Sequence, residues 1–477
     1  MQKHFGRLVG IAVILIVVMA ALLLWWVLSL GNATPQMWKP IEVTLGGLWT
    51  TFYSAQSPDL SILISAVLIA VVLVLFVVVG ERLVTLRYRR SSVEKSTNRP
   101  LSPRTVMART RGVYAGEVTT TVLIPAHNEE QSLPHTINAL KDQSFPPARV
   151  LVVADNCTDG TVEVARRHGV DVFESVDNLH KKGGALNQAL AQVLPSMGDN
   201  DCVMVMDADS QIGADFLAVA RDRFTADRAL MAVGGLFHGE PGHGLIGQFQ
   251  RNEYTRYQRE IARRDGRVFV LTGTASVFRA SALRAVASAR GNTLPGTAGE
   301  VYDTAALTED NELTIALKSL GALTTSPEQC TVVTELMPNW KMLWAQRLRW
   351  QRGALENLGA YGVTPQTMRY WAQQIGIGYG LIALFSYFFL MVLMMVSMDT
   401  WVWFPFWLLI GLIFAVERVV TVWEGGWKAR IVAALVLPEL IYDAFLDLAF
   451  LKGVSDIAFA RSADWKHVEH QPSNEAV

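Results

Sequence analysis

Apolar and polar positions alternate along this chain in three regimes. Residues 10–30 (GIAVILIVVMAALLLWWVLSL) and 60–80 (LSILISAVLIAVVLVLFVVVG) are uncharged apolar runs, each long enough to cross a hydrocarbon core of roughly 30 Å as a helix. The first begins after Lys3 and Arg7 but is too long, and lacks the small-x-small cleavage site, to be a secretory signal. With their flanks they form a two-helix transmembrane segment over 1–87. Residues 88–117, rich in Arg, Ser, Thr and Pro, read as a linker. From 118 the pattern changes: TTTVLIPA, ARVLVVAD, VDVFES and DCVMVMDAD are short runs with β-branched residues. Between them lie the helical patterns SLPHTINALKDQ, GTVEVARRHG and GGALNQALAQVL. That alternation predicts an α/β domain with a mostly parallel sheet, placed at 118–334.

Beyond 335 the pattern turns membrane-like. Residues 335–358 mix Trp, Leu and Met with Lys and Arg at helical spacing, the composition of interfacial helices over 335–370. The segments 371–397, 402–423 and 431–451 are apolar again and predict two or three spans over 371–452, with a tail at 453–477. Pro438, Glu439, Asp443 and Asp447 interrupt the last segment, and charges inside a span are costly. It is therefore the one read as re-entrant or interfacial.

Composition sharpens this picture. Hydrophobic residues make up 51% of 477, more than a soluble protein of this length carries. The 42 basic and 43 acidic side chains nearly cancel, so no global charge argues for nucleic acid. Lys3 and Arg7 precede the first run, and Arg82, Arg87, Arg89 and Arg90 follow the second, which puts the polar domain in the cytoplasm of a multi-pass cell-membrane protein. If all three later segments cross, the tail with Lys452, Arg461 and Lys466 ends outside, against its charge. Cys157, Cys202 and Cys330 have no metal spacing and read as small core residues in a reducing compartment.

Ligands in α/β sheets bind beyond the carboxyl ends of the strands, and three polar clusters fall there: 125–130, 155–160 and 207–210. Asp207 and Asp209, directly after an apolar strand, are placed to share a hard cation such as Mg²⁺ or Mn²⁺. Taken alone, Asp-x-Asp also occurs on many solvated turns. Residues 178–187 (NLHKKGGALN) form a basic turn running into a helix, where glycines allow close backbone approach and Lys182 adds a point charge for phosphate. The turn matches neither the dinucleotide fingerprint nor a P-loop. Thr308-Glu309-Asp310 opens a further helix; such acids are either caps or, for Asp310, a general base. Gln346-Arg347-Leu348-Arg349-Trp350 offers an amide, guanidinium groups and a ring suited to phosphate and a sugar face.

Together, Pro125-Ala126-His127-Asn128-Glu129, Asp155, Lys182, Asp207-Ala208-Asp209, Thr308-Glu309-Asp310 and Gln346–Trp350 resemble the family 2 inverting glycosyltransferases. More narrowly, they are similar to the processive membrane synthases of cellulose, chitin, hyaluronan and poly-N-acetylglucosamine, over about 118–352. The resemblance implies a GT-A glycosyltransferase domain inserted between transmembrane helices. It implies His127, Glu129, Asp155, Lys182, Asp207 and Asp209 as nucleotide-sugar contacts, with Asp207 and Asp209 also on the metal. Asp310 would be the base, and Gly273, Thr274, Glu309, Gln346, Arg349 and Trp350 would serve acceptor and diphosphate. The implied reaction moves a sugar from a nucleotide-diphosphate sugar, a UDP-sugar foremost, to a growing β-linked polysaccharide, coupled to export. Partners would be the lipid bilayer and an accessory export protein or a second copy of the chain, with no nucleic acid. His127 stands where many relatives carry Tyr, and no gating-loop signature is evident. Two alternatives stay open: transfer of one sugar to a lipid carrier or glycolipid, and a noncatalytic membrane scaffold or transporter.

Overall fold

The computed structural model describes residues 99–110, 116–397, 401–403 and 405–461, two strands between 41 and 53, and isolated positions between 61 and 79. The apolar run at 10–30 and the tail beyond 461 lie outside the described residues; of the 60–80 run, the described positions are helical. The chain divides into two compact units, residues 1–90 with 386–417, and residues 91–385 with 418–477. In the first, β1 (Ile41–Leu45) and β2 (Trp49–Tyr53) pair antiparallel. The polar/apolar pattern gave no notice of this hairpin.

The second unit opens inside the stretch read as linker. Here α1 (Pro103–Arg109) begins with proline in its first turn, where the missing N–H costs nothing. Leu101 is buried, and its N–H donates to the Leu320 carbonyl at 3.0 Å. The α/β array then runs β3 (Thr119–Ala126), α2 (Leu133–Lys141), β4 (Arg149–Ala154), α3 (Thr161–Arg167), β5 (Asp171–Glu174), α4 (Lys181–Val193), β6 (Asp201–Met206), β7 (Gln211–Ile212), α5 (Phe216–Ala226), β8 (Leu230–Gly234) and β9 (Leu236–Gly239). There follow α6 (Gly244–Arg263), β10 (Ala275–Arg279), α7 (Ala280–Ala289), α8 (Glu309–Ser319), β11 (Leu323–Thr325) and β12 (Thr331–Thr334).

Seven strands form one sheet in the order β11-β8-β10-β6-β3-β4-β5. β10 runs antiparallel to β6 and β8, and every other pairing in this sheet is parallel. Both faces are buried, as parallel sheets require. Leu123, Leu151, Val203 and Val205 pack under Leu186 and Leu190 of α4 and Leu313 and Leu317 of α8. Val122, Ile124, Val152 and Met204 point the other way, against Leu133 and Ile137 of α2 and Phe216 and Phe224 of α5. This period-two partition places the carboxyl ends of β3, β4 and β6 along one rim. A smaller sheet, β7-β12-β9, lies beside it. Cys202 and Cys330 are fully buried and all three cysteines are free.

Next comes α9 (Trp340–Tyr361), capped by Asn339, whose side chain accepts the Met342 N–H at 3.0 Å. Then α10 (Met368–Ser397) contains a 26-residue stretch, Met368–Leu393, whose most apolar 18-residue window has a mean hydropathy of 2.0. Among the described residues it is the one helix long and apolar enough to cross a membrane. The strand β13 (Trp401–Trp403) joins β2 in the first unit, and α11 (Pro405–Thr421) has 17 residues.

The segment 431–451, read as one span or interfacial helix, is two helices: α12 (Gly426–Ala434) and α13 (Leu437–Ala458). The chain breaks at Val436, whose φ is +55°, just before Pro438. Two of the three acids that made this segment suspect, Glu439 and Asp443, are paired with protein rather than left in an apolar surround. Glu439 is buried, accepting from Asn252 at 2.9 Å and Arg256 at 2.5 Å, both on α6. Asp443 accepts from Arg418 at 2.5 Å. α13 packs along α9, with Gly453 beside the Arg352 backbone, and the Tyr442 ring stacks on Phe249 at 5.0 Å.

Candidate active site

Strand β6 ends at Met206, and the antiparallel neighbour β10 steers the turn beyond it. The Asp207 N–H donates to the Thr274 carbonyl at 3.1 Å, extending the pairing by one residue. The Thr136 hydroxyl holds the Ala208 carbonyl at 2.6 Å from below. Asp207 and Asp209 are thereby carried on a turn anchored from both sides, with Ser210 donating to Asp209 Oδ1 at 3.1 Å.

Lys182 enters from the first turn of α4. Its ammonium lies 2.6 Å from Asp207 Oδ1 and 3.2 Å from Glu309 Oε1. The turn before it is set by Asn178, whose amide donates to Asp155 Oδ1 at 2.8 Å and to the Lys181 carbonyl at 2.7 Å. Gly184 serves this turn: a Cβ there would stand 2.1 Å from Asn178 Oδ1. The glycines of this turn were expected to face a ligand; for Gly184 the close neighbour is protein.

Asp310 comes from the first turn of α8 and bonds both within that turn and beyond it. Its Oδ2 accepts the Gly273 N–H at 3.1 Å across the cleft, and Oδ1 accepts the Asn311 N–H at 2.7 Å. A Cβ on Gly273 would meet Asp310 Oδ2 at 3.3 Å and Lys182 Nζ at 3.5 Å. Five predicted residues, Lys182, Asp207, Gly273, Glu309 and Asp310, therefore share one cluster. Thr274 adjoins it through the Asp207 bond.

Charge within the cluster is unevenly shared. Burial pulls the Lys182 ammonium down, but Asp207 and Glu309 outweigh it and raise its pKa. Burial would raise Glu309, yet Lys182 and then Arg349 hold it below the usual carboxylate range. Asp310 is pushed up to about 6 by burial and by Glu309, with Lys182 pulling back. Asp209 reaches about 7 through burial and the charges of Asp207, Glu129 and Glu335. So one acid near the lysine is fully ionised, while Asp310 and Asp209 titrate near neutrality, the range in which catalytic groups work.

The other predicted residues sit around this cluster. His127 Nδ1 lies 2.5 Å from the Asp155 carbonyl oxygen. Asp155 Oδ1 accepts from Ser175 at 2.7 Å as well as from Asn178 and Asn156, so its carboxylate ties the ends of β4 and β5 to α4. The Glu129 N–H donates to Thr161 at 2.8 Å, and its carboxylate accepts from Ser132. Arg349 reaches the cluster by its field on Glu309, Asp310 and Lys181. Trp350 instead meets Arg347, whose guanidinium lies 4.3 Å from the ring centroid. Gln346 Oε1 is buried without a hydrogen-bond partner among the described residues.

Sequence reasoning missed the residues that hold α9 against α8. Asn357 donates to the carbonyl and hydroxyl oxygens of Thr308, both at 3.1 Å, and to Asn311 Oδ1 at 3.0 Å. Gly353 packs on Thr308 so closely that a Cβ would lie 2.6 Å from its hydroxyl oxygen. The signal was present: Gln346, Trp350, Gly353 and Asn357 recur every three or four residues, which on a helix is one stripe. Glu312 was missed too. It takes a two-pronged bond from buried Arg290, at 2.5 and 2.6 Å, while Arg290 also donates to the Pro295 and Val301 carbonyls. That pair fastens the loop 291–303 to α8.

A mostly parallel sheet carrying acids at its strand ends, with one antiparallel strand beside them, is a GT-A-like α/β fold. Residues 121–287 match the family model "Glycosyl transferase family 2", and the chain carries a domain of that family. The probable glycosyltransferase YdaM of Bacillus subtilis (strain 168) is 28% identical over 258 residues, 49% of this chain and 54% of that protein. The 4,4'-diaponeurosporenoate glycosyltransferase of Staphylococcus aureus (strain USA300) is 35% identical over 89 residues, 19% of this chain and 23% of that one. The chain thus spans about half, or less than a quarter, of the length of these relatives. Among solved structures, a mannosyltransferase from Pyrobaculum calidifontis in complex with GDP-Man and Mn²⁺ aligns with a TM-score of 0.48 at 16% identity, covering 82% of this chain and 99% of that one.

Proposed function

We propose that this protein is an inverting glycosyltransferase that moves a sugar from a nucleotide-diphosphate sugar, a UDP-sugar foremost, to the end of a growing β-linked polysaccharide at the cytoplasmic face of the cell membrane. One observation carries the reading: Asp310, poised near neutrality, faces Gly273 in a cluster with Lys182, Asp207 and Glu309. A single displacement needs one base and a stabilised leaving group. Asp310 takes the proton of the acceptor hydroxyl as its oxygen bonds to the anomeric carbon. The bond from that carbon to the diphosphate breaks, and the nucleoside diphosphate leaves with the electron pair. Lys182 and Arg349 supply positive charge on the side where the leaving group gains negative charge.

The donor set fits a hard divalent cation, Mg²⁺ or Mn²⁺. Burial and then the charge of Asp207 make Asp209 harder to ionise, and a dication held by Asp207 and Asp209 would offset that cost. Among the described residues no group of three or more His, Cys, Asp or Glu side chains converges as a metal site, so diphosphate and water would supply the remaining ligands. Bound there, the cation neutralises charge on the leaving diphosphate. His127, Glu129 and Asp155 take the nucleoside side, Arg349 the diphosphate, and Gln346 and Trp350 the acceptor side. Apolar segments before and after the domain, α10 among them, supply the multi-pass membrane setting and a route for export.

Transfer of one sugar to a lipid-type acceptor is the second reading, favoured by the similarity to a 4,4'-diaponeurosporenoate glycosyltransferase. Product size separates the two. With radiolabelled donor and the full chain in lipid, the expected product is a high-molecular-weight ladder, shortened in Trp350→Ala while nucleotide affinity holds. A single labelled lipid product would overturn the polymer reading.

A further inference from the structure

Trp350 is held in place by residues far from it in sequence. The Arg347 guanidinium lies 4.3 Å from the Trp350 ring centroid, and the Arg347 side chain is only 2% exposed. Among the described residues its ion pair runs to Glu253 on α6, at 2.9 Å from Nη2. The same carboxylate oxygen, Glu253 Oε2, accepts the Tyr442 hydroxyl at 2.7 Å, and Tyr442 belongs to α13. Arg347 Nε and Nη1 are buried with no hydrogen-bond partner among the described residues; around the guanidinium stand the Trp350 ring, the Tyr254 ring with its centroid 5.9 Å away, and the Tyr442 hydroxyl. A buried guanidinium with a single carboxylate partner has few other places to go.

From this chain of contacts we infer that Tyr442 and Glu253 are positioning residues for the acceptor site, acting through Arg347 to fix the plane of the Trp350 ring. The inference rests on the proposal that Trp350 is the acceptor platform. A guanidinium on one face of an indole leaves the opposite face as the one on which a sugar can stack. Ring position then depends on α13, a helix outside the α/β domain, through one shared carboxylate oxygen. Arg347 is specific to the task because a lysine ammonium cannot lie flat on a ring while pairing with a carboxylate.

The test separates ring position from use of the ring. The full chain in detergent or lipid is labelled with 5-fluorotryptophan, and the Trp350 fluorine resonance is assigned by its loss in Trp350→Phe. Tyr442→Phe keeps the stack on Phe249 and deletes the hydroxyl; Glu253→Gln removes the charge. Both should shift or broaden the Trp350 resonance. Both should also raise the KM for acceptor about three- to tenfold, leaving the KM for donor and acceptor-independent donor hydrolysis unchanged. Arg347→Lys should not restore the wild-type resonance. An unmoved Trp350 resonance in both folded variants overturns the inference. A moved resonance with unchanged acceptor KM upholds the positioning chain and sinks the acceptor role given to Trp350.

Discussion

Replacing Asp310 with Asn is the sharpest probe of the site, because it changes charge and basicity while nearly keeping shape. The amide oxygen can still accept one of the two N–H groups that the carboxylate now holds, Gly273 at 3.1 Å or Asn311 at 2.7 Å, and Lys182 keeps both other partners, Asp207 and Glu309. Loss of a general base costs about 10²–10⁴ in rate, so turnover should fall about 10³-fold, ~4 kcal/mol in barrier, with donor affinity within about threefold of wild type. Nucleoside diphosphate release reads the first and titration calorimetry the second. Since the carboxyl sits at about 6 and works only when ionised, the wild-type rate should fall about tenfold per pH unit below 6 and level off above 7. The Asn variant should lose that inflection. Stability runs the other way. The folded-state pKa is raised from 3.8 to about 6, so the folded protein holds this proton more tightly than the unfolded chain. That stabilisation is fully present below about pH 4 and is lost as pH rises through 6, by up to ~3 kcal/mol. Asp310→Asn should thus lose less stability than wild type as pH rises from 4 to 8, whatever offset the lost N–H acceptor adds at every pH. Equal loss of donor binding and turnover, or an inflection near 6 retained in the variant, would refute the assignment and leave Asp310 a structural acid.

Other consequences can be measured independently. Gly353→Ala should cost ~1–3 kcal/mol by overpacking against Thr308, read by thermal melting, and should weaken acceptor more than donor because α9 carries Gln346 and Trp350. Glu312→Ala leaves the Arg290 guanidinium buried without its carboxylate, and should cost about 3–5 kcal/mol in denaturant unfolding; a loss below about 1 kcal/mol would show that the pair is not buried as described. Binding of Mn²⁺ with nucleotide should weaken about tenfold from pH 8 to pH 6. Asp209, at about 7, must lose its proton to ligate, and a pH-independent affinity measured by calorimetry would remove Asp209 from the metal site.

The sheet was legible because both its faces are buried. TTTVLIPA and DCVMVMDAD have no polar face to confuse them, and β3 and β6 occupy those stretches as Thr119–Ala126 and Asp201–Met206. The turn acids were legible for the same reason: a carboxylate right after a buried strand stands out. What escaped notice depends on contacts distant in sequence. The antiparallel β10 reads like any other short strand, and only its pairing with β6 reveals its direction. Leu101 looks like one apolar residue in a polar linker until Leu320 claims its N–H. Glu439 and Asp443 read as interruptions of a span because their partners, Asn252, Arg256 and Arg418, lie on other helices. Arg347 was read as one more cation beside phosphate, whereas its burial and its bond to Glu253 make it part of the scaffold.

The break at Val436 and the return of α13 onto α6 and α9 also bear on how the protein is made. On the ribosome, the sheet and its strand-end acids emerge long before residues 437–458. Until those residues arrive, Arg256 and Asn252 lack Glu439, and Glu253 lacks the Tyr442 hydroxyl. On the proposed reading, donor chemistry can assemble early in synthesis, while the acceptor face is finished only by the last helix described. A nascent or C-terminally clipped chain would then hold a charged sugar donor with no ordered place to put the sugar, and hydrolysis rather than transfer would be its natural fate.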